Sequence, residues 1–262
     1  MIPISKIDRD AASVINRLTR AGYTAYLVGG GVRDLLLDIP PKDFDVVTNA
    51  TPREIKRLFR NAFLIGRRFR LALIKFGDKQ IETATFRAIS SSAEMPSRGS
   101  EENAEPGEQT PMPRDRRRHR EPFHDTEAEY SSSPEEDANR RDFTVNALFY
   151  DLKSGEVIDY VGGVRDIKKK LLRSIGDPNV RFVEDPVRMM RAVRFAAKLG
   201  FKINWPSSWS IHRHCMKLRE IPAVRLFDEV LKLFPVTGEM PRPQPQGGRR
   251  RRRRPRFENL VA

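Results

Sequence analysis

Cysteine is almost absent from this sequence, since Cys215 is the only one among 262 residues. A single cysteine excludes a disulfide framework and any zinc site built on cysteine. Long hydrophobic runs are also missing: no stretch approaches the roughly 18 apolar residues that a membrane-spanning helix needs. The first residues, MIPISKIDRD, lack the apolar segment of a secretory signal. We therefore expect a cytoplasmic protein with no disulfide partner and no membrane association.

Negative charge is scarce relative to positive charge. Lys and Arg total 49 and Asp and Glu total 35, which gives a formal net charge of +14. Half of this excess lies in the arginine run at 249–254 and in Arg256. A charge this basic favours an anionic partner such as nucleic acid or a nucleotide. We predict that the segment 235–262, rich in Pro, Gly and Arg, is a disordered tail.

A second low-complexity segment has the opposite charge. Residues 89–140 contain 13 acidic and 7 basic side chains, together with clusters of Ser, Pro and Gly. Because little apolar surface can be buried there, folding cannot offset the entropy of ordering the chain. We predict a disordered or mobile insertion over 89–138, which leaves two ordered blocks at about 1–88 and 139–234.

The first block has short helices and strands in an irregular order. Thr51-Pro52-Arg53-Glu54 forms a capping box with proline at the first helical position. Gly77-Asp78 is typical of a hairpin turn. We predict helices over 10–22 and from Pro52 to about Phe59, and strands over 24–28, 43–48, 71–76 and 80–86. Because this order lacks regular βαβ alternation, we predict an α/β (α+β) domain with a small mixed sheet.

A glycine turn and a pair of acids carry the chemistry. Gly29 and Gly30 lie between a strand and a helix, where backbone N–H groups and Arg33 could contact phosphate. Asp43 and Asp45 alternate on a strand, so both carboxylates share a face and could bind Mg²⁺. Taken alone, the glycines fit a tight turn and the acids fit a solvated strand surface. Together they indicate phosphoryl or nucleotidyl transfer.

Several motifs in a fixed order resemble one known family. They are LVGGGVRD (27–34), DFDVVT (43–48), ETATFR (82–87), RRDFTVNAL (140–148), YVGGVRDIKKKLLRSIGDP (160–178) and EDPVRMMRAVRFAAKLGF (184–201). Their order and content resemble the class II tRNA nucleotidyltransferase and bacterial poly(A) polymerase family. The resemblance implies a nucleotidyltransferase head (1–88 and 139–160) and a helical neck (161–234) with a base-selecting helix. It also implies addition of nucleotides to RNA 3′ ends without a template, with release of pyrophosphate.

The resemblance implies a two-metal mechanism. Asp43 and Asp45 would hold two Mg²⁺ ions, and Glu82 and Asp142 are both candidates for a third catalytic acid. Asp142 could instead accept hydrogen bonds from the ribose, with Asn146 on the same face of a helix predicted in FTVNALFY. The residues implied in nucleotide binding are Gly29, Gly30, Arg33, Arg141, Asn146, Asp185, Arg188, Arg191 and Arg194.

A basic stripe follows Pro186. Asp185, Arg188, Arg191 and Arg194 recur every three residues, which is also typical of an amphipathic helix with a solvated basic face. The resemblance implies instead that Asp185 and Arg188 form a template that hydrogen-bonds the edge of the incoming base. Arg191 and Arg194 would then contact phosphate or support that template.

Two branches of the family differ in substrate. Gly-Arg-Arg-Phe-Arg (66–70) resembles the bacterial poly(A) polymerase version, although Leu73 stands where that version usually has His. We therefore expect ATP as substrate and RNA 3′ ends as acceptor, either mRNA or structured RNA, with tRNA possible. The arginines that would bind RNA phosphates are Arg249, Arg250, Arg251, Arg252, Arg253 and Arg254.

Two alternatives stay open. One is a CCA-, CC- or A-adding tRNA nucleotidyltransferase, and the other is a non-catalytic RNA-binding relative, against which the intact Asp43 and Asp45 argue. The predicted helix at 221–234 gives way at once to the tail. We therefore expect a shortened or missing helical body after the neck.

Overall fold

The structure, a computed structural model, describes residues 2–65, 71–87, 130–131 and 133–233. The helices of these residues are α1 (Arg9–Arg20), α2 (Gly30–Leu36), α3 (Pro52–Leu58), α4 (Pro134–Arg140), α5 (Gly163–Lys168), α6 (Pro178–Glu184), α7 (Val187–Leu199), α8 (Trp205–His214) and α9 (Ala223–Leu231). The strands are β1 (Ala25–Val28), β2 (Asp45–Thr48), β3 (Ala62–Ile65), β4 (Leu71–Phe76), β5 (Lys79–Thr85), β6 (Leu148–Asp151), β7 (Glu156–Asp159), β8 (Leu171–Leu172) and β9 (Lys202–Ile203). Within these ranges no helix is long and apolar enough to span a bilayer.

Seven of the strands form one mixed sheet in the order β3-β4-β5-β2-β1-β6-β7. The pair β2 and β5 is parallel, and the other neighbouring pairs in this sheet are antiparallel. The predicted α/β (α+β) class with a mixed sheet is confirmed, and the sheet is larger than the four predicted strands imply. The parallel pair brings Asp45 beside Glu82 in register.

The local signals of the first block are confirmed. Asp8 caps α1 by accepting hydrogen bonds from the backbone of Asp10 and Ala11, and the apolar face of the helix is buried. The capping box at Thr51 is present with Pro52 at the start of α3. The strands β4 and β5 pair as the predicted hairpin.

Helix α4 corrects the predicted limits of the insertion. The prediction extended disorder to residue 138, yet Pro134–Arg140 is helical and Ala138 is fully buried against Phe86 and Phe149. The average composition of residues 89–138 gives no indication of this helix. Its local signals are small: a Ser-Pro pair at its start and one buried alanine. Upstream of it, Tyr130 bridges Arg87, and the Ser131 N–H donates to the carbonyl of Phe86 at 2.9 Å. The rest of the predicted insertion lies outside the described residues.

The stretch FTVNALFY also departs from prediction. It forms a 3₁₀ turn over Thr144–Asn146 and then strand β6, rather than a helix. The apolar run is compatible with either structure. Pairing with β1 on one side and β7 on the other decides for a strand.

Helix α5 packs closely on this turn. Gly163, its first residue, faces the Thr144 backbone, and the Thr144 hydroxyl donates to Asp166 Oδ2 at 2.8 Å. Asp166 is fully buried and also accepts from Arg173 Nε at 2.9 Å. These contacts join the helices after residue 162 to the sheet that precedes them.

Candidate active site

The glycine turn lies where β1 meets α2. Gly29 adopts φ +76°, a conformation that favours glycine, and its N–H donates to the carbonyl of Leu148 at 3.0 Å. A Cβ on Gly29 would lie 3.5 Å from Arg141 Nη1 and 3.9 Å from Asp45 Oδ2. The turn is therefore bordered by a guanidinium and a carboxylate. The predicted sequence of strand, glycine turn and helix is confirmed.

Of the two acids, Asp43 lies in a loop and Asp45 lies in a strand. Asp45 is the first residue of β2, between Val28 on β1 and Glu82 on β5. Asp43 precedes the strand, and its carbonyl would lie 3.1 Å from a Cβ on Gly31, so this loop rests against α2. The prediction that both acids lie on one strand is wrong, because β1 ends at Val28 and offers residues 43 and 44 no partner.

Asp45 is a destabilised carboxylate. Burial, together with the negative charges of Glu82 and Asp43, raises its pKa to about 6, although Arg141 acts in the opposite direction. No hydrogen bond or ion pair within the described ranges satisfies the carboxylates of Asp43, Asp45 or Glu82. A carboxylate such as Asp45, which is partly buried and repelled by neighbouring acids, gains from a bound cation.

The site fits a metal ion that arrives with a phosphate ligand. Among the described side chains, no group of three or more His, Cys, Asp or Glu is arranged to hold a metal on its own. Mg²⁺ is commonly bound through one or two carboxylates plus substrate phosphates. Asp45, with Asp43 and Glu82 close enough to raise its pKa, offers such a partial ligand set.

Arg33 lies near the start of α2, as predicted, but its side chain is held by other residues. Its Nε and Nη2 donate to Asp34 Oδ1 at 2.8 and 2.6 Å, and its Nη1 donates to Asn146 Oδ1. The side chain is buried at 2% exposure beneath the turn, with its guanidinium over the ring of Phe195. Arg33 therefore joins α2 to the Asn146 turn and to α7, and it cannot reach a phosphate without breaking these bonds. Asn146 likewise holds Arg33, and its predicted position on a helix is wrong.

Arg141 is the cation that borders the glycine turn. Its Nε and Nη2 donate to Asp137 Oδ2 at 3.0 and 2.7 Å, and its guanidinium lies over the ring of Phe149. These contacts fix the side chain, while Nη1 lies close to Gly29. Asp137 was missed as a supporting residue because it falls in the segment predicted to be disordered. The spacing of four between Asp137 and Arg141 was the available signal.

Asp142 is held by two arginines of α7. Its Oδ1 accepts from Arg188 Nε at 2.9 Å, and its Oδ2 pairs with Arg191 Nη2 at 2.8 Å. Both carboxylate oxygens are thus engaged. Glu82, by contrast, is in register with Asp45 on the neighbouring strand.

Two further residues of the basic stripe have structural partners. Asp185 lies between α6 and α7 and pairs with Arg225 of α9 at 3.3 Å. Arg194 donates to the buried Glu229 of α9 at 2.8 Å. Arg194 therefore fixes α9 on α7, which agrees with a supporting role and not with direct contact to phosphate.

Sequence reasoning missed Arg181 and Glu184. Arg181 Nη2 donates to the carbonyls of Arg140 and Arg141 at 2.6 and 3.0 Å, immediately before Asp142. Glu184 pairs with both Arg181 and Arg188, and burial lowers the pKa of Arg181. The ion pairs of Glu184 with Arg181 and Arg188 have the three- and four-residue spacing of neighbours on a helix, which is a local signal. The contact of Arg181 with the carbonyl of Arg141 spans 40 residues, and no local signal reveals it.

Fold and site together define a nucleotidyltransferase head: a mixed sheet with a glycine turn at the end of one strand and an acid on each of two adjoining strands. Residues 25–173 match the family of the Poly A polymerase head domain. The chain belongs to this family.

Named relatives and a solved structure support the same placement. Poly(A) polymerase I of Salmonella typhi is 48% identical over 228 residues, covering 87% of this chain and 45% of the relative. Poly(A) polymerase I of Haemophilus influenzae is 46% identical, with 86% and 46% covered. The CCA-adding enzyme of Lactobacillus helveticus is 37% identical, with 85% and 49% covered. The chain spans about half the length of the curated relatives it matches.

One solved structure to which the chain is similar is the CCA-adding enzyme of Bacillus stearothermophilus in complex with CTP. It superposes with a TM-score of 0.68 at 32% identity, covering 86% of this chain and 48% of that one.

Proposed function

We propose that this chain carries the catalytic head of an enzyme that adds AMP from ATP to RNA 3′ ends, without a template and with release of pyrophosphate. The observation that carries the chemistry is the half-buried Asp45, which has no hydrogen bond or ion pair with the described residues and lies beside the glycine turn and Arg141. The choice of AMP is supported by higher identity to poly(A) polymerase I, 46–48%, than to CCA-adding enzymes, 35–37%. The cytoplasm is the expected location, because RNA and ATP meet there.

Some residues of the site would bind metal, and others would bind the substrate. Asp43 and Asp45, with Glu82 as third acid, would hold the two expected Mg²⁺ ions. When bound, Mg²⁺ would supply the Lewis acid that lowers the pKa of the RNA 3′-hydroxyl and neutralises charge on the triphosphate. Arg141 and the backbone N–H groups that follow Gly29 in the turn would orient the triphosphate. Asp142 would accept the ribose hydroxyls by exchanging one of its arginine partners.

A second candidate is addition of CCA, CC or A to tRNA. It is favoured by the likeness to the CTP complex of a CCA-adding enzyme, with a TM-score of 0.68. Incubation of the chain with Mg²⁺ and each labelled NTP, on generic RNA and on tRNA lacking its 3′ end, separates the candidates. Long A tails on generic RNA support the proposal, whereas a stop after one to three nucleotides on tRNA supports the second candidate. Binding of RNA without addition of any nucleotide would instead support a non-catalytic RNA-binding relative.

Arg188→Ala should relax the choice of base. In the family's motif Asp185 and Arg188 would read the base edge, and a site built on hydrogen bonds rejects a wrong base because its own polar groups would be unpaired. Removing one such group costs about 1–3 kcal/mol, so the preference for ATP should fall by about 5- to 150-fold. The measurement is kcat/KM for each of the four NTPs.

Arg191→Ala is the matched control, because it removes the other arginine partner of Asp142 and leaves Arg188 in place. It should lower all four kcat/KM values by a similar factor. If Arg188→Ala also lowers them equally, Arg188 serves to position Asp142 and the base-reading role is wrong.

Replacing the arginine run 249–254 with glutamine should weaken RNA binding. These residues lie outside the described ranges, and their binding to RNA stays a prediction. For every phosphate that is no longer neutralised, the slope of log K against log salt should become shallower by about 0.7 for single strands. The measurement is RNA affinity between low and moderate salt, with the KM for ATP as the control that should not change. An unchanged salt slope would show that the run does not bind RNA.

A further inference from the structure

Helix α8 has an inverted distribution of polarity. Its buried side carries serines, with Ser207 at 1% and Ser210 at 0% exposure, whereas Trp205 is 75% exposed and Trp209 is 45% exposed. Tryptophan is among the side chains with the most apolar surface, and on average it is highly buried. These are the only two tryptophans in the sequence. Packing within the described part of the chain does not account for their exposure.

The two tryptophans and an arginine form one stripe. Trp205, Trp209 and Arg213 are spaced by four residues along α8, which places them on one side of the helix. The indole rings are nearly parallel, at 21° with centroids 6.5 Å apart, and the Arg213 guanidinium lies 5.2 Å from the Trp209 ring. We call Trp205, Trp209 and Arg213 the tryptophan stripe.

The segments that flank the tryptophan stripe in the sequence are basic. Lys202 precedes α8 and Lys217 and Arg219 follow it, and Glu220 is the one acid between residues 202 and 220. Exposed aromatic faces with flanking cations are the combination by which proteins bind single-stranded nucleic acid: the rings stack on bases and the cations follow the phosphates. A protein partner recognised by charge would have to be acidic, but two parallel indole faces favour planar bases.

The tryptophan stripe belongs to the helical layer next to the candidate active site. His214 of α8 contacts Asn179 of α6 at 3.2 Å, and α6 holds the backbone before Asp142 through Arg181. The buried serines of α8 face inward, and the tryptophans face the opposite way. A strand of RNA on this surface would therefore run over the layer that adjoins the site.

We propose that the tryptophan stripe is a stacking platform for unpaired bases of single-stranded RNA. This inference deepens the proposed function, on which it rests for RNA as the ligand. The stripe would hold RNA upstream of its 3′ end through base faces, without reading sequence. No residue of the stripe would touch the reacting groups.

Intrinsic fluorescence tests the proposal directly, because both tryptophans lie in the stripe. The full chain, without ATP or Mg²⁺, is titrated with a 12-nucleotide oligo(A) and with an abasic ribose-phosphate oligomer of equal length. Stacking predicts saturable quenching by oligo(A) and clearly weaker quenching by the abasic oligomer. Binding of 5′-labelled oligo(A) is followed by anisotropy in the same samples.

Substitutions separate stacking from other contributions. Trp205→Ala should raise the Kd for oligo(A) by about 5- to 150-fold, and Trp205→Phe, which keeps an aromatic face, should stay within about 3-fold of the wild type. Phe227→Ala is the matched control, because Phe227 is also exposed, at 59%, but lies on α9 outside the stripe. It should leave the Kd unchanged. Circular dichroism establishes that each variant is folded.

Several results would overturn the proposal. They are saturated RNA binding without quenching, equal quenching by the abasic oligomer, or a wild-type Kd in folded Trp205→Ala. Fluorescence that changes with protein concentration and not with RNA would assign the stripe to contact between copies of the chain. Failure of the proposed function gives a different result: RNA is not extended with ATP and Mg²⁺, while base-dependent quenching persists.

Discussion

Asp45→Asn should abolish nucleotide addition and at the same time stabilise the protein at neutral pH. In the proposed function Asp45 binds a catalytic metal, so its loss should lower kcat by about 10³-fold or more, since several kcal/mol of transition-state stabilisation would be removed. The stabilisation follows from the burial of Asp45 near Glu82 and Asp43, which raises its pKa from 3.8 to about 6. A neutral amide removes the cost of keeping this charge in the fold.

The sign of the pH dependence follows from proton linkage. Because the folded-state pKa of Asp45 exceeds its unfolded value of 3.8, the folded state binds more protons between pH 3.8 and about 6. The contribution of Asp45 to the free energy of unfolding is therefore favourable at acidic pH and is lost as pH rises through about 6. At pH 7.5 the ionised carboxylate costs on the order of 3 kcal/mol relative to its protonated form.

Denaturant unfolding without divalent cations measures this effect. The excess stability of Asp45→Asn over the wild type should grow by about 2 kcal/mol between pH 4.5 and pH 7.5. Asp78→Asn, at the exposed turn between β4 and β5, is the matched control and should show no such growth. A constant difference across pH, or an active Asp45→Asn enzyme, would contradict the role given to Asp45. With Mg²⁺ and ATP added, the wild type should gain stability and the variant should gain less.

Among the described glycines, Gly163 is the position at which substitution by alanine should destabilise the protein most. A Cβ at this position would lie 2.9 Å from the carbonyl carbon of Thr144, 3.0 Å from Leu148 Cδ2 and closer still to the Thr144 oxygen. The obstacle is backbone, which cannot rotate away as a side chain can. We expect the free energy of unfolding to fall by about 3 kcal/mol or more.

Gly30→Ala is the matched control for this substitution. Gly30 and Gly163 are both the first residue of a helix, and each follows a glycine with positive φ. At Gly30 the nearest atom to a new Cβ is Arg33 Nη2, at 3.5 Å, which is an ordinary contact. Urea unfolding should therefore show a change within about 1 kcal/mol for Gly30→Ala. Equal effects at the two positions would mean that α5 can move away from Thr144 at little cost.

Local signals were sufficient for the elements around the site. The capping box at Thr51, the turn at Gly77-Asp78 and the glycines after β1 each act within a few residues, and the structure has the elements they predict. The position of Asp45 beside the glycine turn could be anticipated, because the acids and the turn lie close in sequence. The raised pKa of Asp45 could not be anticipated, because Glu82 comes to lie beside it only through the pairing of β2 with β5.

The errors come from contacts between distant segments. Arg33 reads as a free cation at a helix start, but Asn146, 113 residues away, and Phe195 enclose it. Asp142 reads as a free carboxylate, but two arginines of α7 engage both of its oxygens. In each case sequence gives the charge, and only tertiary packing decides whether that charge is available to a ligand.

The bridge between Arg87 and Tyr130 has a consequence for how the chain can vary in length. Because the Ser131 N–H also donates to the carbonyl of Phe86, the two described ends that border residues 88–129 lie side by side. The free energy of closing a loop rises only by about 0.6 kcal/mol for each doubling of its length. This position is therefore a junction at which residues can be deleted or a folded module grafted, while the register of the strands on either side stays the same.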